Sequence, residues 1–130
     1  MNRALDWRRY PNFQPQEFAC RHTGRVRMDA DFMDRLQALR SAFARPMLIS
    51  SGYRDPTHPL EAIKSQPGSH ASGRAVDVSV RGAEALQLIA LAVQHGFTGI
   101  GVQQKGSGRF IHLDDLSAQA QQPRPTIWSY

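Results

Sequence analysis

The chain is short of several things, and each shortage rules something out. Among its 130 residues there is a single cysteine, Cys20. No intramolecular disulfide can form, and no all-cysteine metal site can be built. Cys20 is expected to be a small buried hydrophobe. No long apolar run marks a membrane-spanning helix, and the opening Met1-Asn2-Arg3-Ala4-Leu5-Asp6-Trp7 lacks the apolar segment of a secretory signal. The sequence therefore predicts a protein made in the cytoplasm without a signal peptide, which meets an outside substrate only if it is exported or released. There is no internal repeat and no second domain, so residues 1–130 read as one domain, long enough to bury most of the surface an unfolded chain exposes. Sixteen Lys and Arg against eleven Asp and Glu leave a formal charge of +5, which favours polyanionic surroundings: nucleic acid, an acidic membrane surface or a bacterial envelope. The basic residues are scattered, not gathered on one helix or interleaved with aromatics, and this argues against a nucleic-acid interface.

Taken in order, residues 8–24 carry Pro11, Pro15 and few periodic apolar positions, which predicts an irregular lead-in pinned by Phe13, Phe18 and Cys20. Residues 29–44 are the clearest helix. Phe32, Leu36, Leu39 and Phe43 fall at helical spacing, Met33 widens the stripe, and Asp29 or Asp31 can cap the start. Pro46 ends it, and Met47-Leu48-Ile49-Ser50 reads as a short buried strand. A turn-rich loop over residues 55–69, with Pro56, Pro59, Pro67 and Gly68, is long for a compact domain, and long ordered loops are often functional. Residues 75–80 alternate, with Val76, Val78 and Val80 on one face and Ala75, Asp77 and Ser79 on the other. A second helix is expected over residues 83–95, with Leu86, Ile89, Ala90 and Val93 inward, Leu88 and Leu91 widening the apolar surface, and Gly96 as the stop. Strands follow near residues 98–102 and 109–113, joined by a Gly106-Ser107-Gly108 turn. The Gln- and Pro-rich residues 117–126 are expected to hug the surface, tacked down by Ile127, Trp128 and Tyr130. Together this is an α+β domain, a mainly antiparallel sheet with two principal helices.

The chemistry concentrates in Ser69-His70-Ala71-Ser72-Gly73-Arg74-Ala75-Val76-Asp77 and in Phe110-Ile111-His112-Leu113-Asp114. A catalytic zinc takes three protein ligands of N or O type and keeps a fourth position open for water. His70, Asp77 and His112 meet that demand if the strands at residues 75–80 and 109–113 are neighbours, with the Ser72-Gly73 turn doubling the chain back from His70. Asp114 shares a face with His112, as alternate strand residues must. It is placed either as the hydrogen-bond partner of a histidine or as a base for the bound water. His22, His58 and His95 read as ordinary histidines, although the long loop gives His58 a route to the site.

These stretches, with Ser51-Gly52-Tyr53-Arg54 ahead of them, resemble the three signatures of the zinc D-Ala-D-Ala carboxypeptidase family, which shares a superfamily with lysostaphin-type endopeptidases and the Hedgehog signalling domain. Phe13-Gln14-Pro15-Gln16-Glu17-Phe18-Ala19-Cys20 and Trp128 look like a branch of compact peptidases, many of them phage-encoded. The resemblance implies that His70, Asp77 and His112 ligate Zn2+. It also implies that Arg54 binds the substrate carbonyl or carboxylate and stabilises the oxyanion, and that Ser51 and Ser69 are hydrogen-bond partners, not nucleophiles. The implied substrates are stem or cross-link peptides of bacterial peptidoglycan; separately, the chain is expected to act as a monomer and to bind no nucleic acid. Many relatives carry a Glu or His one to three residues before the final ligand. Here those positions are Arg109, Phe110 and Ile111, and the expectation is that Asp114 serves as the base. The rival reading is a zinc-containing binding module with the fold but not the turnover. A nucleic-acid binder using the +5 charge is a third.

Overall fold

A computed structural model describes residues 3–64 and 68–130. The lead-in is two single turns of 3-10 helix, Trp7–Arg9 and Pro15–Phe18, and Phe13, Phe18 and Cys20 are all buried as expected. Helix α1 spans Ala30–Phe43. Asp29 is its cap, the carboxylate accepting the Phe32 N–H at 3.0 Å, which satisfies one of the amides that a helix start leaves unpaired. Its buried face carries Phe32, Met33, Leu36, Leu39 and Phe43, the stripe the spacing predicts.

Five strands follow: β1 Leu48–Ser51, β2 Ala75–Ser79, β3 Gly99–Gln103, β4 Phe110–Asp114 and β5 Thr126–Ser129. They form one sheet in the order β1-β2-β4-β3-β5, antiparallel throughout except for the parallel β3–β5 pair. Helix α2, Pro59–Ala62, is one turn inside the long loop, and α3 spans Gly82–Gln94. The architecture is α+β with two substantial helices. Pro67, part of the expected turn-rich loop, lies outside the described residues.

Alternation sorts the sheet into two faces. Val76, Val78, Ile100, Ile111 and Leu113 are buried on the core side with Leu36, Leu39, Leu88, Ala92 and Phe97. The opposite face presents Asp77 from β2 and Phe110, His112 and Asp114 from β4. Gly99, Gly101 and Gln103 from β3, and Trp128 from β5, lie in the rows beside them.

Three expectations need correcting. Helix α3 buries Ala85, Leu88 and Ala92, while Leu86 and Val93 are 70% and 61% exposed. Apolar residues run almost all round this helix, so spacing alone cannot fix which stripe meets the sheet. The strand at residues 48–51 lies at the sheet edge, with Ile49 buried and Leu48 exposed. Trp128 does not merely tack down a tail: Thr126–Ser129 is a full member of the sheet beside β3. Four residues carry too little pattern to announce a strand, and the partner strand β3 lies far upstream in the sequence.

Candidate metal centre

The site starts from a register. In the β2–β4 ladder Asp77 pairs directly with His112, so one carboxylate and one imidazole stand side by side on the same face. His70 reaches them from the 3-10 turn Ser69–Ser72, after which Gly73 turns the chain with φ +75°. A Cβ at Gly73 would stand 2.2 Å from the Arg27 carbonyl oxygen, so both conformation and space demand glycine there. All three side chains are buried, and they offer ligand atoms that lie within 4.8 Å of one another.

The outer nitrogens of the two rings are already committed. His70 Nδ1–H donates to the Gly52 carbonyl at 2.9 Å, and His112 Nε2–H donates to Asp114 Oδ2 at 2.7 Å. That leaves His70 Nε2 at 3.3 Å and His112 Nδ1 at 3.2 Å from the same oxygen, Asp77 Oδ1. With the outer protons so placed, nitrogen lone pairs and a carboxylate face one another in a buried space, an arrangement that asks for a positive charge among them. Donor atoms on a tetrahedron of zinc-ligand radius, about 2.0–2.1 Å, would stand about 3.3 Å apart. The spacing matches. Two neutral imidazoles and a carboxylate fit one zinc ion, with a coordination position left over.

Charge and packing reinforce the set. Burial pushes the Asp77 carboxyl pKa up, but the hydrogen bonds and charge that His112 and His70 supply when protonated outweigh it and hold the group well below the usual carboxylate range. For His112 burial acts downward, and its bonds to Asp114 and Asp77 outweigh it and raise the pKa. The His112 ring also packs against Trp128, with centroids 5.0 Å apart. That contact depends on glycine: a Cβ on Gly101 would meet the Trp128 ring at 2.8 Å. Gly99 similarly leaves room for the Asp114 carboxylate, 2.3 Å from where its Cβ would be.

The contacts of Asp114 are those of a histidine's hydrogen-bond partner. Its side chain is 0% exposed, its Oδ2 is bound by His112, and Arg124 grips both oxygens, Nε to Oδ1 at 2.8 Å and Nη2 to Oδ2 at 2.7 Å. Burial raises its pKa, but the His112 and Arg124 bonds prevail and hold it at about 2. A carboxylate so acidic and so fully engaged is a poor proton acceptor near neutral pH. It fixes the orientation of His112, as the outer partner of a metal-binding histidine does.

Arg54 borders the site from the loop after β1. Its N–H donates to the His70 carbonyl at 3.1 Å. The guanidinium binds Ser51 Oγ at 3.3 Å and the buried Glu61 at 3.2 Å, and Glu61 is also held by Lys64 and by the Gly68 N–H. Beside it opens a cleft of about 240 Å3 lined by Arg21, Ser51, Gly52, Arg54 and His58 among others. The loop's route for His58 therefore leads to this cleft and not to the three ligands. Sequence reasoning missed Glu61 and Arg124. Neither has a local signature, and the sole clue to Arg124 was that an acid on the strand carrying His112 needs a cation.

A single-metal hydrolytic site on an antiparallel sheet, built from two histidines and an aspartate, defines the class of this protein as a mononuclear metallohydrolase. Comparison with known families narrows it: the sequence profile of the family described as peptidase M15 matches residues 11–114. That span takes in α1, strands β1 to β4 and all three ligand candidates, and the chain belongs to the peptidase M15 family. No curated protein matches the chain. Family and buried triad together make this a zinc-dependent peptidase of bacterial peptidoglycan. No helix among the described residues is long and apolar enough to cross a membrane.

Proposed function

We propose that the protein, as a monomer, hydrolyses a peptide bond in stem or cross-link peptides of peptidoglycan, with His70 Nε2, Asp77 Oδ1 and His112 Nδ1 as its zinc ligands. The direct pairing of Asp77 with His112, closed by His70, carries this reading. Zinc bound there supplies a Lewis acid for the scissile carbonyl and lowers the pKa of water toward neutrality. The chain's own residues do the rest. Gly52 and Asp114 keep the two imidazoles turned inward, and the cleft beside Arg54 receives the peptide. The guanidinium of Arg54 is a planar donor suited to a substrate carboxylate or carbonyl, and Glu61 and Ser51 hold it in place. Carboxypeptidase action at a terminal D-alanine and endopeptidase action at a cross-link both suit a cleft with two guanidiniums on its wall. Peptidoglycan lies outside the cytoplasm, so this function requires export or release.

A second reading, a zinc-containing binding module of the same fold, draws support from Arg109, Phe110 and Ile111, which supply no acid or imidazole ahead of His112, and from the engagement of Asp114. Digestion of purified peptidoglycan with zinc-loaded protein, followed by mass spectrometry of the products, separates the two. Defined new peptide termini are expected, and their identity names the bond. Binding to the wall without any cleavage would establish the module instead.

A further inference from the structure

With Arg54 engaged by Glu61 and Ser51, the oxygen of the scissile carbonyl has room for a second donor on the sheet side of the metal centre. The last strand offers one. The Tyr130 N–H donates to the Val102 carbonyl at 3.3 Å, which carries the pairing of β5 with β3 one residue beyond Ser129. Alternation then puts Trp128 and Tyr130 on the same side of the sheet. Both rings lean across β3 onto β4. Trp128 crosses the gap left by Gly101 and packs on His112, and Tyr130 packs on Phe110, with centroids 5.1 Å apart. Phe110 and His112 are alternate residues of one strand, so Tyr130 stands next to the metal-binding row, over the same face. Tyr130 is 56% exposed, whereas Trp128 is the more enclosed of the two.

We propose that Tyr130 is a catalytic residue whose neutral hydroxyl donates a hydrogen bond to the scissile carbonyl oxygen as negative charge develops on it. The inference rests on the peptidase reading above. When the oxygen of water bonds to the carbonyl carbon, the carbonyl π pair moves onto its oxygen, and the phenol meets that charge without giving up its proton. When the pair returns, the C–N bond breaks and the amine leaves with a proton derived from the water. A donor aimed at charge that exists only in the transition state accelerates the reaction, whereas one that binds substrate equally well does not. The surroundings favour the protonated phenol: burial raises its pKa, the Trp128 indole works against this, Asp77 and Asp114 raise it further, and Arg54 opposes them, leaving it above the ordinary value. The phenol therefore feels charges from the sheet, at Asp77 and Asp114, and from Arg54 in the loop after β1. It lies beyond residue 114, where the family match ends.

The test is Y130F, which removes one oxygen and keeps the ring on Phe110. Zinc-loaded wild type and variant are compared for zinc content, circular dichroism, and kcat and KM on a stem peptide ending in D-alanyl-D-alanine and on a cross-linked dimer. The expected result is equal zinc and fold, with kcat down about 100- to 1000-fold and little change in KM, the range found on removing one oxyanion donor. Wild-type kcat in Y130F overturns the inference and leaves the peptidase reading standing, as does a change confined to KM. No cleavage by zinc-loaded wild type overturns that reading and this inference with it.

Discussion

Along the sheet wall of the metal centre, His112 is fixed on one side by Asp114 and on another by Trp128, and Asp114 is fixed in turn by two bonds from Arg124. The loop wall differs. There Arg54 is oriented by Ser51 and Glu61, and Glu61 is held by Lys64 and the Gly68 amide. A zinc ion tolerates ligand displacements of only a few tenths of an ångström. Two of the three proposed ligands, Asp77 and His112, stand on strands whose register ladder hydrogen bonds enforce, while His70 comes from a 3-10 turn and is held by the Gly52 carbonyl. A peptide substrate has to enter and leave, and the residues proposed to receive it come from a loop. On the proposed function, chemistry falls to the sheet wall and substrate binding to the loop wall.

Perturbing each wall in turn sharpens that division. The largest effect is expected from H112A or H70A. Zinc content by elemental analysis should fall from one per chain to nearly none, with at least about a thousandfold loss of turnover, because Lewis-acid stabilisation worth several kcal/mol is gone. Next comes Arg124→Met. Zinc affinity, measured by competition with a chelator, should weaken about 10- to 100-fold through a loosened His112. Stability should fall by about 3–5 kcal/mol, because a buried carboxylate loses its partner. A more modest change is predicted for Gly101→Val. Overpacking against Trp128 should cost about 1–3 kcal/mol, with a shift in tryptophan fluorescence that Val substitution at the open Gly108 does not produce.

The smallest effect belongs to the loop wall. For Glu61 burial raises the pKa, but the Gly68, Lys64 and Arg54 bonds outweigh it, so the folded-state pKa lies below the unfolded one. Its contribution to stability is therefore complete above the unfolded carboxylate pKa and is lost as pH falls through the lower folded value. Thermal melts of wild type should show this acid-side decline, and E61Q should show less of it. E61Q should also raise KM while leaving zinc content unchanged. Loss of zinc in E61Q would mean that the two walls are not separable.

How legible these walls were in the sequence follows the range of the interactions. Helix α1 was readable because Phe32, Leu36, Leu39 and Phe43 repeat at helical spacing and Asp29 caps them. His70, Asp77 and His112 were readable because a tight turn and strand alternation confine them, and the structure does bring them together. The inward stripe of α3 was not, since Leu86 and Val93 are as apolar as the residues it buries. Strand β5 and Arg124 were invisible for another reason. Their meaning lies in partners on β3 and β4 that only the folded sheet brings alongside. The same holds for Asp114, whose two possible roles differ only by what touches its carboxylate.

The most direct test of the metal centre is the release of new amino groups from purified peptidoglycan, measured on one preparation before chelation, after chelation and after return of one equivalent of zinc. Release by the native protein, loss on chelation, full recovery with that single equivalent and no recovery in H112A are expected. Amine release that continues undiminished in the chelated protein would contradict zinc dependence.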